Sequence, residues 1–144
     1  MSKDDYFKAD RNSLEFTLHG RPVPYTRVAL CPRTNRRYNP NGPARASAIA
    51  SLHELCHQHE TVLPNFGEDE LELEAIFVLE NRKRPVSPPD LDNLVKFMMD
   101  ALQIAGVYKN DAQITKALIE KRIDEAAKGR TIVKLRKKVI VIDG

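Results

Sequence analysis

Apolar and polar residues alternate along three stretches of the chain, and this alternation predicts β-strands. Leu14 to His19 has an apolar residue at every second position and ends before Gly20. Glu70 to Leu79 alternates in its first half and is continuously apolar in its second half, a pattern typical of a strand buried on both faces. Thr131 to Arg136 alternates again and leads into the β-branched run Val139 to Ile142. The chain therefore carries the apolar pattern of a sheet.

Two other stretches have apolar residues at the three- and four-residue spacing of a helix. The first, Ala44 to Glu60, is rich in alanine. The second follows Pro88 and Pro89, which bring an extended chain up to Asp90 and leave Asp92 where a helix N-cap prefers a short carboxylate. We predict a helix that begins at Asp92 and stops at Gly106. Its apolar stripe comprises Leu91, Val95, Met98, Met99, Leu102 and Ala105.

The composition is that of one small domain. The chain has 144 residues, of which 42% are hydrophobic, enough for a single packed core. We predict a disordered polar segment at residues 1–13 and one domain over residues 14–144. No apolar run approaches the about 20 residues of a membrane span. Cys31 and Cys56 lack paired metal-ligand spacing and read as reduced thiols, so we expect a cytoplasmic protein without a membrane partner.

Basic residues are segregated from acidic ones, although the net charge is only +3. The stretch from Arg21 to Arg45 holds six arginines and no acid, and the stretch from Arg130 to Lys138 holds five basic residues and no acid. The acids concentrate instead between Glu68 and Glu74. This segregation is typical of a protein that approaches a polyanion such as DNA.

Two basic loops are candidate DNA contacts. In the irregular stretch from Arg21 to Pro43, Tyr25 and Tyr38 are interleaved with arginines, which suits phosphate binding and stacking on exposed bases; a flexible solvated loop is the alternative. The loop from Asn81 to Pro89 leads directly to Asp90 and would draw the DNA backbone towards acids that otherwise repel it. The predicted DNA-contacting residues are Arg27, Arg33, Arg36, Arg37, Arg82, Lys83 and Arg84.

Two aspartates open the second helical stretch and form a candidate metal site. Asp90 and Asp92 flank Leu91, so in an extended chain their side chains point the same way and can share one hard cation such as Mg²⁺. Lys96 and Asp100 follow Asp92 at four-residue steps on the same side of the helix. Lys96 is not a ligand but can orient a water, stabilise charge on a phosphate or offset repulsion among the acids. Asp100 reads chiefly as a salt-bridge residue near Lys96, with a direct role as the alternative.

The third candidate carboxylate, Asp111, is barely able to reach Asp90 and Asp92 within one chain. A helix of about 13 residues is about 20 Å long, and the connection from Gly106 to Asp111 spans about 20 Å when extended. Either this connection folds back along the helix, or Asp111 meets the aspartate pair from another protomer of a dimer. Reach alone leaves both arrangements open.

These motifs together resemble the RusA family of Holliday-junction resolvases, small endonucleases of phages and prophages. The resemblance is carried by Asp90-x-Asp92-Asn93 with Lys96, by Asp100-Ala101-Leu102, by Gly106 and Asp111, and by the N-terminal segment Gly20-Arg21-Pro22-Val23-Pro24 with Arg27. It implies that Asp90, Asp92, Lys96 and Asp111 are the residues required for cleavage. One position departs from the family, because Asn110 stands where members often have a second acid next to Asp111.

The resemblance extends the interpretation to fold and partners. It favours a strand for Ile114 to Ile123, where periodicity does not decide, with Asp124 to Gly129 as a hairpin connection to the next strand. We therefore expect an α+β domain with about four strands in a mixed sheet, two main helices and a homodimeric assembly. The implied function is Mg²⁺-dependent cleavage of four-way DNA junctions in recombination and repair, in a bacterial or phage-infected cell. Mn²⁺ is a possible substitute for Mg²⁺.

Three other functions fit parts of the sequence. A nuclease of the same family acting on other branched DNA has the same motifs. A DNA-binding protein without catalysis would use the aspartates only for capping and pairing. The segment His53-Glu54-Leu55-Cys56-His57 matches the HExxH signature of zinc peptidases, but no third ligand follows at a suitable position, so we interpret it as a surface helix.

Overall fold

The protein folds as an α+β domain in which two helices cover one face of a mixed sheet. The computed structural model describes residues 6–26, 29–30, 33, 37–38, 40–80, 89–124 and 128–138. Its strands are β1 (Lys8–Ala9), β2 (Ser13–His19), β3 (Ala29–Leu30), β4 (Arg37–Tyr38), β5 (Leu71–Glu80), β6 (Ile114–Asp124) and β7 (Arg130–Lys137). The helices are α1 (Gly42–Gln58) and α2 (Leu91–Ile104), and a 3₁₀ turn spans Asp111–Gln113.

The main sheet has the strand order β1-β2-β7-β5-β6. β5 and β6 are parallel, whereas β7 is antiparallel to both of its neighbours, β2 and β5. β5, α2 and β6 thus form a parallel β-α-β unit, in which α2 starts beyond the C-terminal end of β5 and returns the chain to the end where β6 begins. This unit fixes the position of the candidate acids.

The core lies between the helices and the inward side chains of the central strands. Leu73 of β5 pairs with Leu135 of β7, and both are buried with Phe16 of β2. Leu94 and Leu102 of α2 pack into the same cluster. The alternation that predicts strands in the sequence is therefore the alternation between this core and the opposite face of the sheet. Cys56 is also buried, and burial raises the pKa of its free thiol.

The fold class and the two helices are as predicted, and the strand predicted over Ile114 to Ile123 is present as Ile114–Asp124. The sheet has five strands rather than about four. The extra strand is β1, which pairs with β2 inside the segment that we expected to be disordered up to residue 13. The predicted hairpin between β6 and β7 is wrong, because β5 lies between them. β7 instead lies between β2 and β5, where both of its edges are paired and its inward side chains Val133 and Leu135 are buried.

Two boundaries also differ from the sequence interpretation. The N-cap of α2 is Asp90, with an extended backbone, and Asp92 lies in the first turn, where a carboxylate is favoured by the helix dipole. At the other end Gly106 has a φ of +86° and terminates the helix as predicted. The arginine-rich stretch contains the short β3-β4 hairpin. The predicted β-branched strand at residues 139–142 lies outside the described residues.

Among the described residues, neither helix has the length and apolar character needed to cross a lipid bilayer.

Tyr108 provides a test of the packing behind α2. Its side chain is buried and its hydroxyl donates a hydrogen bond of 2.5 Å to the carbonyl of Met99. Burial raises the pKa of this phenol, and the negative charges of Asp111 and Asp100 add to the effect. Above about pH 10 an unfolded tyrosine ionises while the folded one does not, so Tyr108 loses its contribution to stability as pH rises.

We expect Tyr108→Phe to lower the free energy of unfolding by about 1 kcal/mol at pH 8, through loss of the hydrogen bond. The difference in unfolding free energy between the two proteins should shrink between pH 10 and pH 11, because only the wild type has a phenol at this position that ionises on unfolding. Urea unfolding across that range measures it. A difference that stays constant with pH would contradict the buried phenol.

Candidate active site

Asp90 and Asp92 are exposed at the N-terminal end of α2. The carbonyl of Asp90 accepts the N–H of Leu94, and a carboxylate oxygen of Asp92 accepts the N–H of Asn93 at 3.0 Å. The segment before the helix is held by Lys121 of β6, whose ammonium donates to the carbonyl of Pro89 at 3.2 Å. Neither carboxylate forms an ion pair with the residues that the structure describes, so both retain oxygens for an external cation.

Lys96 is exposed one turn after Asp92 and lies over an aromatic ring. Its Nζ is 4.1 Å from the centre of the Tyr25 ring. The ring face is negative and attracts the ammonium without neutralising its charge, so Lys96 is held in place while keeping hydrogen-bond donors for a ligand. The sequence suggested base stacking for Tyr25; the structure places it beneath Lys96.

The chain around Tyr25 is anchored to both helices. The N–H of Tyr25 donates to the carbonyl of Asn93 at 2.9 Å, which joins this segment to the first turn of α2. At the next residue, Thr26, the N–H donates to the side chain of Asn41 and the carbonyl accepts from it, at 2.8 Å and 2.7 Å. Asn41 is the buried N-cap of α1. Tyr25 is therefore fixed between the starts of both helices.

A salt bridge joins the two helices on the same side. Arg45 of α1 donates to a carboxylate oxygen of Asp100 at 2.7 Å, and both side chains are partly buried. Asp100 is thus a salt-bridge residue, as we expected, but its partner is Arg45 rather than Lys96. Arg45 and Asn41 are supporting residues that the sequence analysis did not identify. The signal for Asn41 was present, since an asparagine directly before Gly42-Pro43 is typical of a helix start.

Asp111 lies at the opposite end of the β-α-β unit from Asp90. It begins the 3₁₀ turn just before β6, where Ile114 pairs with Leu71 at the start of β5. Pro89, by contrast, contacts Lys121, which pairs with Phe77. The six residue steps from Leu71 to Phe77 along β5 span about 20 Å. The connection after Gly106 therefore does not fold back along α2, and Asp111 lies apart from Asp90 and Asp92 within one protomer. The shared role of these three acids stays a prediction.

Asn110 caps the 3₁₀ turn. Its side-chain oxygen accepts the N–H of Ala112 at 2.9 Å, and its own N–H donates to the side chain of Gln113 at 2.9 Å. Gln113 also donates to the carbonyls of Gly67 and Asp69, which ties the turn to the start of β5. The side-chain oxygen of Asn110 thus orders the loop that carries Asp111.

Within the described parts of one chain, no three acids, histidines or cysteines stand close enough together to hold a metal ion. The donor set at Asp90 and Asp92 nevertheless fits a hard divalent cation, because Mg²⁺ takes one or two protein carboxylates and completes its shell with water and phosphate oxygens. His53, Glu54 and His57 are exposed on α1. Their exposure is that of a surface helix, the interpretation that the sequence favoured.

Most of the predicted DNA-contacting residues lie outside the described residues. This holds for Arg27, Arg36, Arg82, Lys83 and Arg84. Arg33 is exposed, and Arg37 belongs to β4. The DNA-binding role of both loops stays a prediction.

The contact between Lys96 and Tyr25 predicts a graded effect of the ring. A cation–π contact at an exposed site contributes about 0.5–1 kcal/mol, so we expect Tyr25→Leu to lower the single-turnover cleavage rate about two- to fivefold if this contact positions Lys96 for the reaction. Tyr25→Phe keeps the ring and should retain the wild-type rate. Equal losses in both variants would show that the hydroxyl, and not the ring, matters. Unfolding curves of both variants control for stability.

The chain matches a family model and is similar to a known enzyme. The family model described as endodeoxyribonuclease RusA matches residues 19–136. The chain is also similar to the crossover junction endodeoxyribonuclease RusA of Aquifex aeolicus (strain VF5), with 27% identity over 128 residues, covering 89% of this chain and 94% of that protein. The matched span contains the β-α-β unit with Asp90, Asp92, Lys96 and Asp111. The chain therefore belongs to the RusA family of endodeoxyribonucleases, enzymes that act on phosphodiester bonds.

Proposed function

We propose that this protein is a Mg²⁺-dependent endonuclease that resolves Holliday junctions in DNA recombination and repair. The observation that carries the proposal is the pair of exposed carboxylates at the start of α2, one turn from an exposed ammonium, in a chain of the RusA family. The similar protein from Aquifex aeolicus is named a crossover junction endodeoxyribonuclease. A cytoplasmic location in a bacterial or phage-infected cell is part of this proposal.

The acids and the lysine of the site would have different roles in hydrolysis. Asp90 and Asp92 would hold the cation, and Asp111 would supply a further carboxylate. A divalent cation held there would lower the pKa of the attacking water and offset charge on the scissile phosphate. The ammonium of Lys96 stabilises the negative charge that grows on the phosphate oxygens as water adds and a sugar oxygen leaves. Tyr25 and the Asn41 contacts hold Lys96 at the required place.

Junction specificity requires two sites. A four-way junction has two equivalent strands, and resolution cuts both symmetrically, which matches an enzyme with two-fold symmetry. We therefore propose a homodimer with one site per protomer. The basic loops at residues 21–45 and 81–89 would contact the phosphates of the junction arms.

The test is a cleavage assay on a synthetic mobile four-way junction, beside matched linear duplex, fork and flap substrates, with Mg²⁺ or with chelator. We expect paired symmetric nicks in the junction that require Mg²⁺, with at least tenfold preference over duplex. Preferential cleavage of forks or flaps would favour the related nuclease acting on other branched DNA. Binding without cleavage under every condition would leave a DNA-binding protein and refute the nuclease assignment of the site.

A further inference from the structure

A groove opens between α1 and α2 at the end of the sheet where β2 stops and β7 begins. Its volume is about 160 Å³. The floor is apolar and consists of Phe77 of β5 with Phe97 and Met98 of α2, none of them more than 5% exposed. Ser47 and Ser51 of α1 are exposed and line one wall with hydroxyl groups. The groove therefore combines an aromatic floor with polar groups at its opening.

The groove is open because α1 presents only small side chains to it. These residues recur at three- and four-residue steps, so they lie on one side of the helix. They are Ala44, Ser47, Ala48 and Ser51. One turn after Ala48, Leu52 is large and is buried in the core. A larger side chain at either serine would fill part of the groove from an exposed position and leave the core contacts of α1 intact.

The charge at the opening suits a phosphate. Arg21 lines the groove and is exposed, and no acid pairs with it in the part of the chain that the structure describes. The described residues that line the groove include no aspartate and no glutamate. An apolar aromatic floor, neutral hydroxyls and a guanidinium are together the groups that bind the base, the base edge and the phosphate of a nucleotide.

The groove lies at the same end of the sheet as the candidate active site. Thr131 and Phe77, which both line it, are register partners, and Phe77 pairs on its other side with Lys121. Lys121 donates to the carbonyl of Pro89, directly before Asp90. One row of residues across the sheet thus connects the groove to the segment that carries the aspartates.

Another wall of the groove belongs to the segment that contacts Lys96. Arg21 and Pro22 line the groove, and the ring of Tyr25, in the same segment, lies under the ammonium of Lys96. The four residue steps from Arg21 to Tyr25 span at most about 14 Å. Phe97, in the floor, directly follows Lys96 on α2. A DNA strand whose phosphate lies at Lys96 can therefore place a nearby nucleotide in the groove.

We propose that this groove binds one unpaired nucleotide of branched DNA, with the base on the floor between α1 and α2 and the phosphate at Arg21. This inference rests on the proposed function, because it names a part of the substrate held beside the same site. The volume suits one base and is too small for a base pair, since a cavity of about 150 Å³ holds a benzene molecule. A base that is already unpaired costs least to bind in this way, so the groove favours branched DNA over linear duplex.

The base site is tested by enlarging its serines. Ser47→Leu and Ser51→Leu each fill part of the groove, whereas Ala46→Leu adds the same side chain at an exposed residue on the other side of α1 and is the control. We expect each serine variant to raise the dissociation constant for a four-way junction in chelator at least about fivefold, through loss of the base contact. The dissociation constant for linear duplex, and both constants of Ala46→Leu, should change less than about twofold.

The unpaired base is detected with aminopurine, a fluorescent base analogue that brightens when it leaves the base stack. The analogue is placed in turn at the positions around the branch point. We expect the wild type and Ala46→Leu to brighten one position in each cut strand, and Ser47→Leu and Ser51→Leu to leave every position dim. Urea unfolding curves show which variants are folded, and either serine variant alone is sufficient for the test.

The phosphate contact is tested through its salt dependence. Arg21→Gln removes one cation from the opening of the groove, so the slope of log affinity against log salt should fall by about one for the junction. Arg11→Gln is the matched control, because Arg11 is exposed before the opposite end of β2, and it should keep the wild-type slope. An unchanged slope for Arg21→Gln would refute the phosphate contact.

The outcomes separate the groove from the proposed function. Serine variants that bind the junction and brighten aminopurine as the wild type does would refute the nucleotide site, even if the protein cleaves junctions. Equal losses of affinity for junction and duplex would also refute it, because duplex has no unpaired base to lose. A wild-type protein that never cleaves, but loses junction affinity and aminopurine signal in the serine variants, would refute the proposed nuclease function and support the groove.

Discussion

Asp92→Asn is expected to abolish cleavage while leaving DNA binding intact. The substitution keeps the size of the side chain and one oxygen, and the exposed position in the first turn of α2 has no packing to lose. It removes the negative charge needed to hold a divalent cation, so we expect the single-turnover rate on a four-way junction to fall about 100- to 1,000-fold, or about 3–4 kcal/mol of transition-state stabilisation. Binding should be equal or tighter, because one charge that repels phosphate has gone.

Two matched variants separate this effect from a general change in charge. Asp69→Asn removes an exposed carboxylate that pairs with Lys137 at the start of β5, at the far end from Asp92. Glu54→Gln removes the acid of the HExxH segment on α1. Both should cleave at close to the wild-type rate. An Asp92→Asn protein that cleaves normally, or a Glu54→Gln protein that does not, would show that the active site does not lie at the start of α2.

The elements around the site follow from local sequence rules. Proline before Asp90 and glycine at position 106 predict the two ends of α2 to within two residues of the observed ends. These signals are reliable because proline and glycine themselves restrict or permit the backbone conformation at a helix end. The alternation in β2, β5 and β7 likewise reflects which side chains enter the core.

The order of the strands in the sheet was harder to predict from the sequence than the strands themselves. The predicted hairpin between β6 and β7 was wrong. A short connection favours neighbouring strands, but β7 occupies the position between β2 and β5, where both of its edges are paired. The alternation of apolar and polar residues in β6 is weak because much of the strand is exposed, and alternation arises where one face of a strand is buried.

The supporting contacts of the site are long-range and could not be read from spacing. Tyr25 and Lys96 are far apart in sequence, and their contact depends on the hydrogen bonds that fix Thr26 to Asn41. Arg45 stood among six arginines of a basic stretch with nothing to single it out, yet it pairs with Asp100. These contacts depend on how α1 packs on α2, and the sequence does not specify that packing residue by residue.

Lys96→Met should separate catalysis from binding most clearly. Methionine keeps the length and the apolar stem of lysine, so α2 and its contact with the Tyr25 ring lose little packing. The variant lacks the ammonium, and we expect the single-turnover rate to fall about 100-fold, or about 2.7 kcal/mol, if that charge acts on the transition state. The dissociation constant for the junction should change less than threefold at 100 mM salt, a small loss consistent with one exposed phosphate contact.

The salt dependence distinguishes this role from simple phosphate binding. A lysine that only neutralises one phosphate in the bound complex reduces the slope of log affinity against log salt by about one when it is removed, and weakens binding without a separate loss of rate. Lys8→Met is the control, since Lys8 is an exposed lysine of β1 paired with Asp10. A Lys96→Met protein that recovers the wild-type rate at saturating protein would show that Lys96 binds DNA but does not stabilise the transition state. A rate that stays about 100-fold low at saturation, with Lys8→Met unaffected, would place the ammonium of Lys96 at the reacting phosphate.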